Sequence, residues 1–133
     1  MHLSDLNKQQ LAAVTHFGGH ELVIAGAGTG KTRVLTYRIA WLIEQKLAGR
    51  QEIMALTFTN KAAKEMKERL GKLIGPEARQ MAIGTFHSIC SRFLREYGDA
   101  IDIDRDFIIY DTYDQLTVIK SLLKEQNLDS QAI

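Results

Sequence analysis

The chain of 133 residues holds one cysteine and one proline, and no apolar run approaches the ~20 residues needed to cross a bilayer. Even residues 38–42 are bracketed by charge. The lone Cys90 cannot close an internal disulfide and reads as a packed thiol. The N-terminus lacks a charged-then-apolar leader with a cleavage site, so the expectation is a cytoplasmic chain with no membrane partner. No cysteine or carboxylate cluster accompanies His2, His16, His20 or His87 at ligand spacing, which excludes a zinc site. An excess of charge is missing as well, since 17 Lys and Arg stand against 16 Asp and Glu. With no global positive field, any nucleic-acid surface has to be a local patch. Internal repeats and low-complexity tracts are absent. What is present, 45% hydrophobic and 25% charged residues, is the make-up of one globular domain able to bury a core.

Short apolar runs alternate with longer helical patterns along the chain. Leu22, Val23, Ile24 and Ala25 form a compact β-prone run ending in a glycine-rich turn, which predicts a buried strand. Val34, Leu35, Ile39, Trp41, Leu42 and Ile43 then recur at three- and four-residue steps, with Gly49 as the expected helix stop. A second strand is expected over residues 53–58, followed by a helix carrying Ala62, Ala63, Met66, Leu70 and Leu73. Gly75 and Pro76 mark a turn, residues 81–86 a third strand, and Ile89, Phe93, Leu94 and Tyr97 a helix ended by Gly98. Residues 107–110 are a candidate for one more short strand. Successive βα units argue for an α/β domain with a largely parallel sheet, because parallel neighbours need crossover connections. From Asp111 the texture changes. Thr112 and Gln115 have capping-box spacing, and Leu116, Ile119, Leu122 and Leu123 form an apolar stripe on a further helix.

The segment between the first strand and the first helix reads Ala25, Gly26, Ala27, Gly28, Thr29, Gly30, Lys31, Thr32. Its glycines free the backbone so that successive N–H groups can converge on phosphate oxygens at a helix N-terminus. Lys31 can reach the β- and γ-phosphates of a nucleoside triphosphate, and the Thr32 hydroxyl can coordinate the Mg²⁺ that bridges them. Ala25 departs from the strict pattern, which opens with Gly. A ligand-free strand-to-helix turn also accommodates the glycines, but it does not require Lys and Thr directly after the last of them. On these residues the chain is a P-loop nucleotide-binding domain, which leaves kinase, GTPase and motor open.

Three further segments narrow the choice: LNKQQLAAV from Leu6, TFTNKAAKEM from Thr57 and GTFHS from Gly84. Together with the phosphate loop, in this order, they resemble the superfamily 1 DNA helicases of the UvrD, Rep and PcrA type over residues 3–123. The resemblance implies a RecA-like three-layer P-loop NTPase fold. It places Gln10 at the adenine edge, favouring ATP over GTP, and Arg33 beside the nucleotide. TFTNKAA contributes to a single-stranded DNA track in that family, which assigns Thr57, Phe58, Thr59, Asn60 and Lys61 to it. The chemistry agrees, since Phe can stack on a base, Thr and Asn can hydrogen-bond the backbone and Lys can pair with phosphate. Phe58 read alone is equally a core aromatic finishing a strand. GTFHS resembles the following DNA-contacting motif and makes Thr85, Phe86 and His87 candidates for the same surface, although a lone His at a helix start is commonly a structural or capping residue.

Hydrolysis requires more than a phosphate cradle: a second Mg²⁺-holding acid, a group that orients the attacking water and an arginine at the transition state. No apolar strand ending in Asp-Glu follows the third βα unit, and Asp102, Asp104, Asp106 and Asp111 lie in a polar, loop-like run. In the family these groups lie further along a longer polypeptide, after an inserted helical subdomain. The expectation is an incomplete motor domain over residues 1–110 and the opening of that subdomain over residues 111–133. The remaining helicase domains would lie beyond Ile133. The parent would be a 3′ to 5′ helicase acting on single-stranded DNA or a single-strand/duplex junction in repair or replication, and this part would bind ATP without unwinding. The alternative is a stand-alone module that grips ATP or single-stranded DNA without turnover. A small-molecule kinase shares the loop but gives no reason for TFTNKAAKEM and GTFHS on successive strands.

Overall fold

The computed structural model describes residues 2–127 and is mixed α/β. It divides into two compact units, Met1–Arg92 and Phe93–Ile133. In chain order the elements are α1 (Lys8–Thr15), α2 (Lys31–Glu44), β1 (Met54–Thr57), α3 (Asn60–Ile74), β2 (Ala82–Thr85), α4 (Phe86–Tyr97) and α5 (Thr112–Glu125). Short 3₁₀ turns occupy Leu3–Asp5, Arg50–Glu52, Pro76–Gln80 and Gly98–Ile101.

In the first unit β1 and β2 run parallel in a two-stranded sheet, with Met54 opposite Ala82 and Thr57 opposite Thr85. A parallel pair cannot be joined by a tight turn, and α3 is the crossover. Its residues Ala63, Met66 and Leu70 recur at three- and four-residue steps and are buried, whereas Lys64, Glu68 and Lys72 on the opposite face are exposed. Met66 and Leu70 join Ile39 and Ala40 of α2, Ala55 of β1, Ile83 of β2, Ala78 and Met81 in one apolar cluster. α1 lies against α2. Arg38, midway along α2, ties down the end of α1, donating to the carbonyls of Ala13 (2.7 Å) and His16 (2.8 Å) while pairing with Glu21 at 3.0 Å.

The second unit is organised around Arg95. Its guanidinium donates to the Arg105 carbonyl at 2.7 Å and lies 4.6 Å from the Phe107 ring centroid, holding the connection between α4 and α5 in place. Gly98 lies so close to Ile103 that a Cβ would stand 2.8 Å from the Ile103 carbonyl oxygen.

Several expectations are corrected. Residues 22–25 are not a strand: a strand exists only as one side of a hydrogen-bonded ladder, β1 and β2 pair with each other, and Leu22 and Ile24 are 84% and 88% exposed. The sheet among the described residues therefore has two strands and not three. Residues 107–110 likewise have no ladder partner, and Phe107 offers its carbonyl to Arg95 instead. α2 stops at Glu44, before Gly49. Leu47 N–H donates to Leu42 O at 2.9 Å and Lys46 N–H to Ile43 O at 3.1 Å around Lys46 at φ 57°, so the closing left-handed residue is a lysine. The capping box of α5 is formed by Asp111 and Asp114, one residue before the expected pair, because the Asp111 carboxylate accepts from Asp114 N–H. Cys90 is exposed, since it follows the buried Ile89 on α4 and is turned away from the face that Ile89 buries.

Two substitutions test this account by chemical denaturation. Leu70→Ala, at a fully buried position, should cost about 2–5 kcal/mol. Lys46→Gly should stabilise by about 0.5–1 kcal/mol by relieving the left-handed backbone, and an unchanged midpoint would show that the helix end carries no strain.

Candidate functional site

Four of the described helices start with a side-chain cap: Asn7 for α1, Thr59 for α3, Thr85 for α4 and Asp111 for α5. α2 does not. Its N-cap is Gly30 at φ 88°, with no side chain bonded to the first-turn N–H groups. Those groups carry the positive end of the helix dipole, so the start of α2 is chemically an anion site. Gly28 at φ 75° and Gly30 give the preceding loop a left-handed course that side chains resist. Thr29 Oγ donates to Gly26 O at 2.7 Å and closes the loop from within. The Lys31 ammonium lies across it, donating to Ala25 O at 3.1 Å and Gly26 O at 2.7 Å.

Gln10 couples α1 to this loop. The main chain of Asn7 donates to Gln10 Oε1, the main chain of Gln10 donates to Asn7 Oδ1, and Gln10 Nε2 donates to the Thr29 carbonyl at 3.1 Å. One amide N–H and one oxygen lone pair of Gln10 are left over. That donor–acceptor pair matches the edge of a purine. A cleft of about 440 Å³ between α1 and the loop is lined by Asn7, Gln10, Ala25, Gly26, Thr29 and Lys31. Thr32 is half-buried in the first turn of α2. Arg33 points toward Asp5, whose Oδ2 lies at 3.8 Å, with its guanidinium 5.5 Å from the Tyr37 ring centroid. These groups suit a nucleoside triphosphate: uncapped N–H donors, a lysine at the loop, and glycines where a Cβ at Gly30 would press to 3.1 Å from Gln10 Nε2.

A second candidate surface lies where the two strands end. Phe58 is 92% exposed and so is not a core aromatic. Its ring meets that of Phe86, 49% exposed, with centroids 5.9 Å apart and planes inclined at 43°. Thr59, Asn60, Lys61 and His87 are also exposed around the strand ends. Thr57 and Thr85 differ from their neighbours, because both are buried. The Thr57 hydroxyl donates to Thr59 O at 3.1 Å, and Thr85 Oγ accepts from Ser88 N–H at 3.2 Å. These two threonines shape the turns that carry the phenylalanines. Asn7 was not singled out as a site residue, although its three-residue spacing to Gln10 is that of a capping box. Asp102, Asp104, Asp106 and Asp111 are exposed, and the described residues contain no cluster of three or more His, Cys, Asp or Glu able to hold a metal ion. No described helix is long and apolar enough to cross a membrane.

An uncapped helix start behind a glycine-rich loop is the local arrangement of phosphate-loop proteins. The chain belongs to the UvrD/REP helicase family, whose N-terminal domain matches residues 6–133. Over 127 residues it is 56% identical to the ATP-dependent DNA helicase PcrA of Bacillus subtilis (strain 168), covering 96% of this chain and 17% of that protein. Over 129 residues it is 50% identical to the protein of the same name from Staphylococcus aureus (strain Mu50 / ATCC 700699), covering 97% and 18%. The chain thus spans less than a fifth of the length of these relatives.

Gly30→Ala tests the loop geometry. It should destabilise the chain by about 1–2 kcal/mol through the positive φ, and the amide resonances of Thr29 and Gln10 should shift together. A shift confined to residue 30 would show that the loop and α1 are not coupled.

Proposed function

We propose that these residues are the N-terminal part of the motor of an ATP-dependent 3′ to 5′ DNA helicase, binding ATP and single-stranded DNA at adjacent sites. The carrying observation is the start of α2, uncapped behind Gly28 and Gly30, with Lys31 directly inside it and Gln10 reaching the loop from α1. On this reading, which the family supports, the fold is RecA-like, residues 1–110 belong to the motor domain and residues 111–133 open an inserted helical subdomain. Ala25, Gly26, Ala27, Gly28, Thr29, Gly30 and Lys31 cradle the phosphates, and Thr32 holds the accompanying Mg²⁺. The metal neutralises charge on the β- and γ-phosphates when bound. Lys31 must leave Ala25 O and Gly26 O to reach the phosphates, exchanging two neutral carbonyls for a charged acceptor. The free donor and acceptor of Gln10 select adenine, and Arg33 lies beside the nucleotide.

The exposed Phe58–Phe86 pair supports the DNA reading. An aromatic surface of this kind stacks on bases without reading them, while Thr59, Asn60, Lys61 and His87 supply backbone contacts. Thr57 and Thr85 then act by holding the two turns. Nucleotide and DNA surfaces grow from one small framework, which is how hydrolysis in a motor domain can alter the grip on a strand.

ATP binding and hydrolysis by the 133-residue chain with Mg²⁺, with and without single-stranded DNA, test the proposal. ATP should bind without turnover, and Lys31→Ala should weaken it by about 1.5–3 kcal/mol. Gln10→Ala should narrow the preference for ATP over GTP. Phe58→Ala should weaken single-stranded DNA by about 1–3 kcal/mol and leave ATP affinity unchanged. DNA-stimulated turnover abolished by Lys31→Ala would place the catalytic acid and arginine within these residues and overturn the division of labour.

A further inference from the structure

The outer face of α3 carries a concentration of positive charge of which the strand-end site uses only Lys61. Across residues 60–80 there are six cations, Lys61, Lys64, Lys67, Arg69, Lys72 and Arg79, and three carboxylates, Glu65, Glu68 and Glu77. Two carboxylates are engaged: Glu77 pairs with Arg50 at 2.7 Å, and Glu65 lies 3.9 Å from Arg69. Lys64, Lys67, Lys72 and Arg79 form no ion pair among the described residues. They line one groove of about 760 Å³ between α3 and the Pro76–Gln80 turn, with the ring of Pro76 in its wall and Glu68 its one acidic group. In a chain of net charge +1, this is a local basic patch and not a share of a general excess.

The patch has a direction. Lys61, Lys64, Glu68 and Lys72 follow one another at steps of three and four residues, opposite the buried Ala63, Met66 and Leu70. The stripe runs about 16 Å along the helix axis and begins at Lys61, three residues after the exposed Phe58. Unpaired cations flanking aliphatic lysine stems and a proline ring suit a chain of phosphodiesters joined by sugars. An acidic peptide would offer the charge but gains nothing from continuity with an aromatic pair.

We infer that the groove between α3 and the Pro76–Gln80 turn is a second contact for the nucleic-acid backbone, extending a single strand past the Phe58–Phe86 pair along Lys61, Lys64, Lys67, Lys72 and Arg79. This inference rests on the strand-end reading above, and it assigns to the groove phosphate contacts with no base preference.

Anisotropy of a labelled oligothymidylate against the 133-residue chain, titrated with salt, separates the two. Lys64→Gln/Lys72→Gln should reduce the magnitude of the slope of log K against log salt by about 0.7 per lysine. The charge-matched Lys46→Gln/Lys120→Gln should leave it unchanged. Glu68→Gln should tighten binding several-fold, a gain that misfolding cannot imitate. Phe58→Ala should lower affinity with the slope intact. If Phe58→Ala weakens binding while Lys64→Gln/Lys72→Gln keeps both wild-type affinity and slope, the groove is off the strand's path and the inference falls alone. If neither changes binding, the strand-end reading falls with it. Polyglutamate binding that Lys64→Gln/Lys72→Gln abolishes, with oligothymidylate binding untouched, would overturn the inference in favour of an acidic protein partner.

Discussion

The first unit depends on the burial of one face of α3. Met66 and Leu70 are the residues through which β1, β2 and α2 meet, and Leu70 has no solvent exposure. Interiors pack too densely to deform gradually, so this contact fixes the helix relative to both strands and to α2. Each surface of interest is positioned by that arrangement. The strand ends bring Phe58 to Phe86, α2 presents its uncapped start to the loop, and the opposite face of α3 is left to solvent with its lysines.

Parallel pairing has a consequence of its own. With Thr57 opposite Thr85, both strands deliver their following turns to the same edge of the sheet, where open α/β sheets bind ligands. An antiparallel pair would have sent the two motifs to opposite ends. The buried threonines then convert pairing into presentation, since Thr57 bonds into the turn before α3 and Thr85 accepts from Ser88 in the first turn of α4. Both hydroxyls are thereby engaged in the turns that carry the exposed aromatic rings beside them.

Helix positions were legible because their signals are local. The alternation of buried Ala63, Met66 and Leu70 with charged neighbours gives α3 to within two residues, and the glycines before Lys31 lead into a helix start that no side chain caps. The two strand expectations fail for one reason. Residues 22–25 and 107–110 have strand-like composition, but a strand is a relation between two segments, and neither finds a ladder partner among the described residues. The end of α2 was misplaced because glycine was expected where Lys46 adopts the left-handed conformation, a choice that propensity disfavours and a closed helix end enforces.

Sequence alone determined the chemistry: a glycine loop with Lys31 and Thr32, the family to which the chain belongs, and the motif order along it. Those properties reside in residue identity and short spacing, and the backbone near each motif obeys them. Tertiary structure decided which of these groups face solvent and which meet. Gln10 and Thr29 are 19 residues apart, and Phe58 and Phe86 lie on different turns, so their contacts arise only when α1 packs on α2 and β1 pairs with β2. The basic groove is of the same kind, because Arg79 joins the lysines of α3 only after the chain turns back at Gly75.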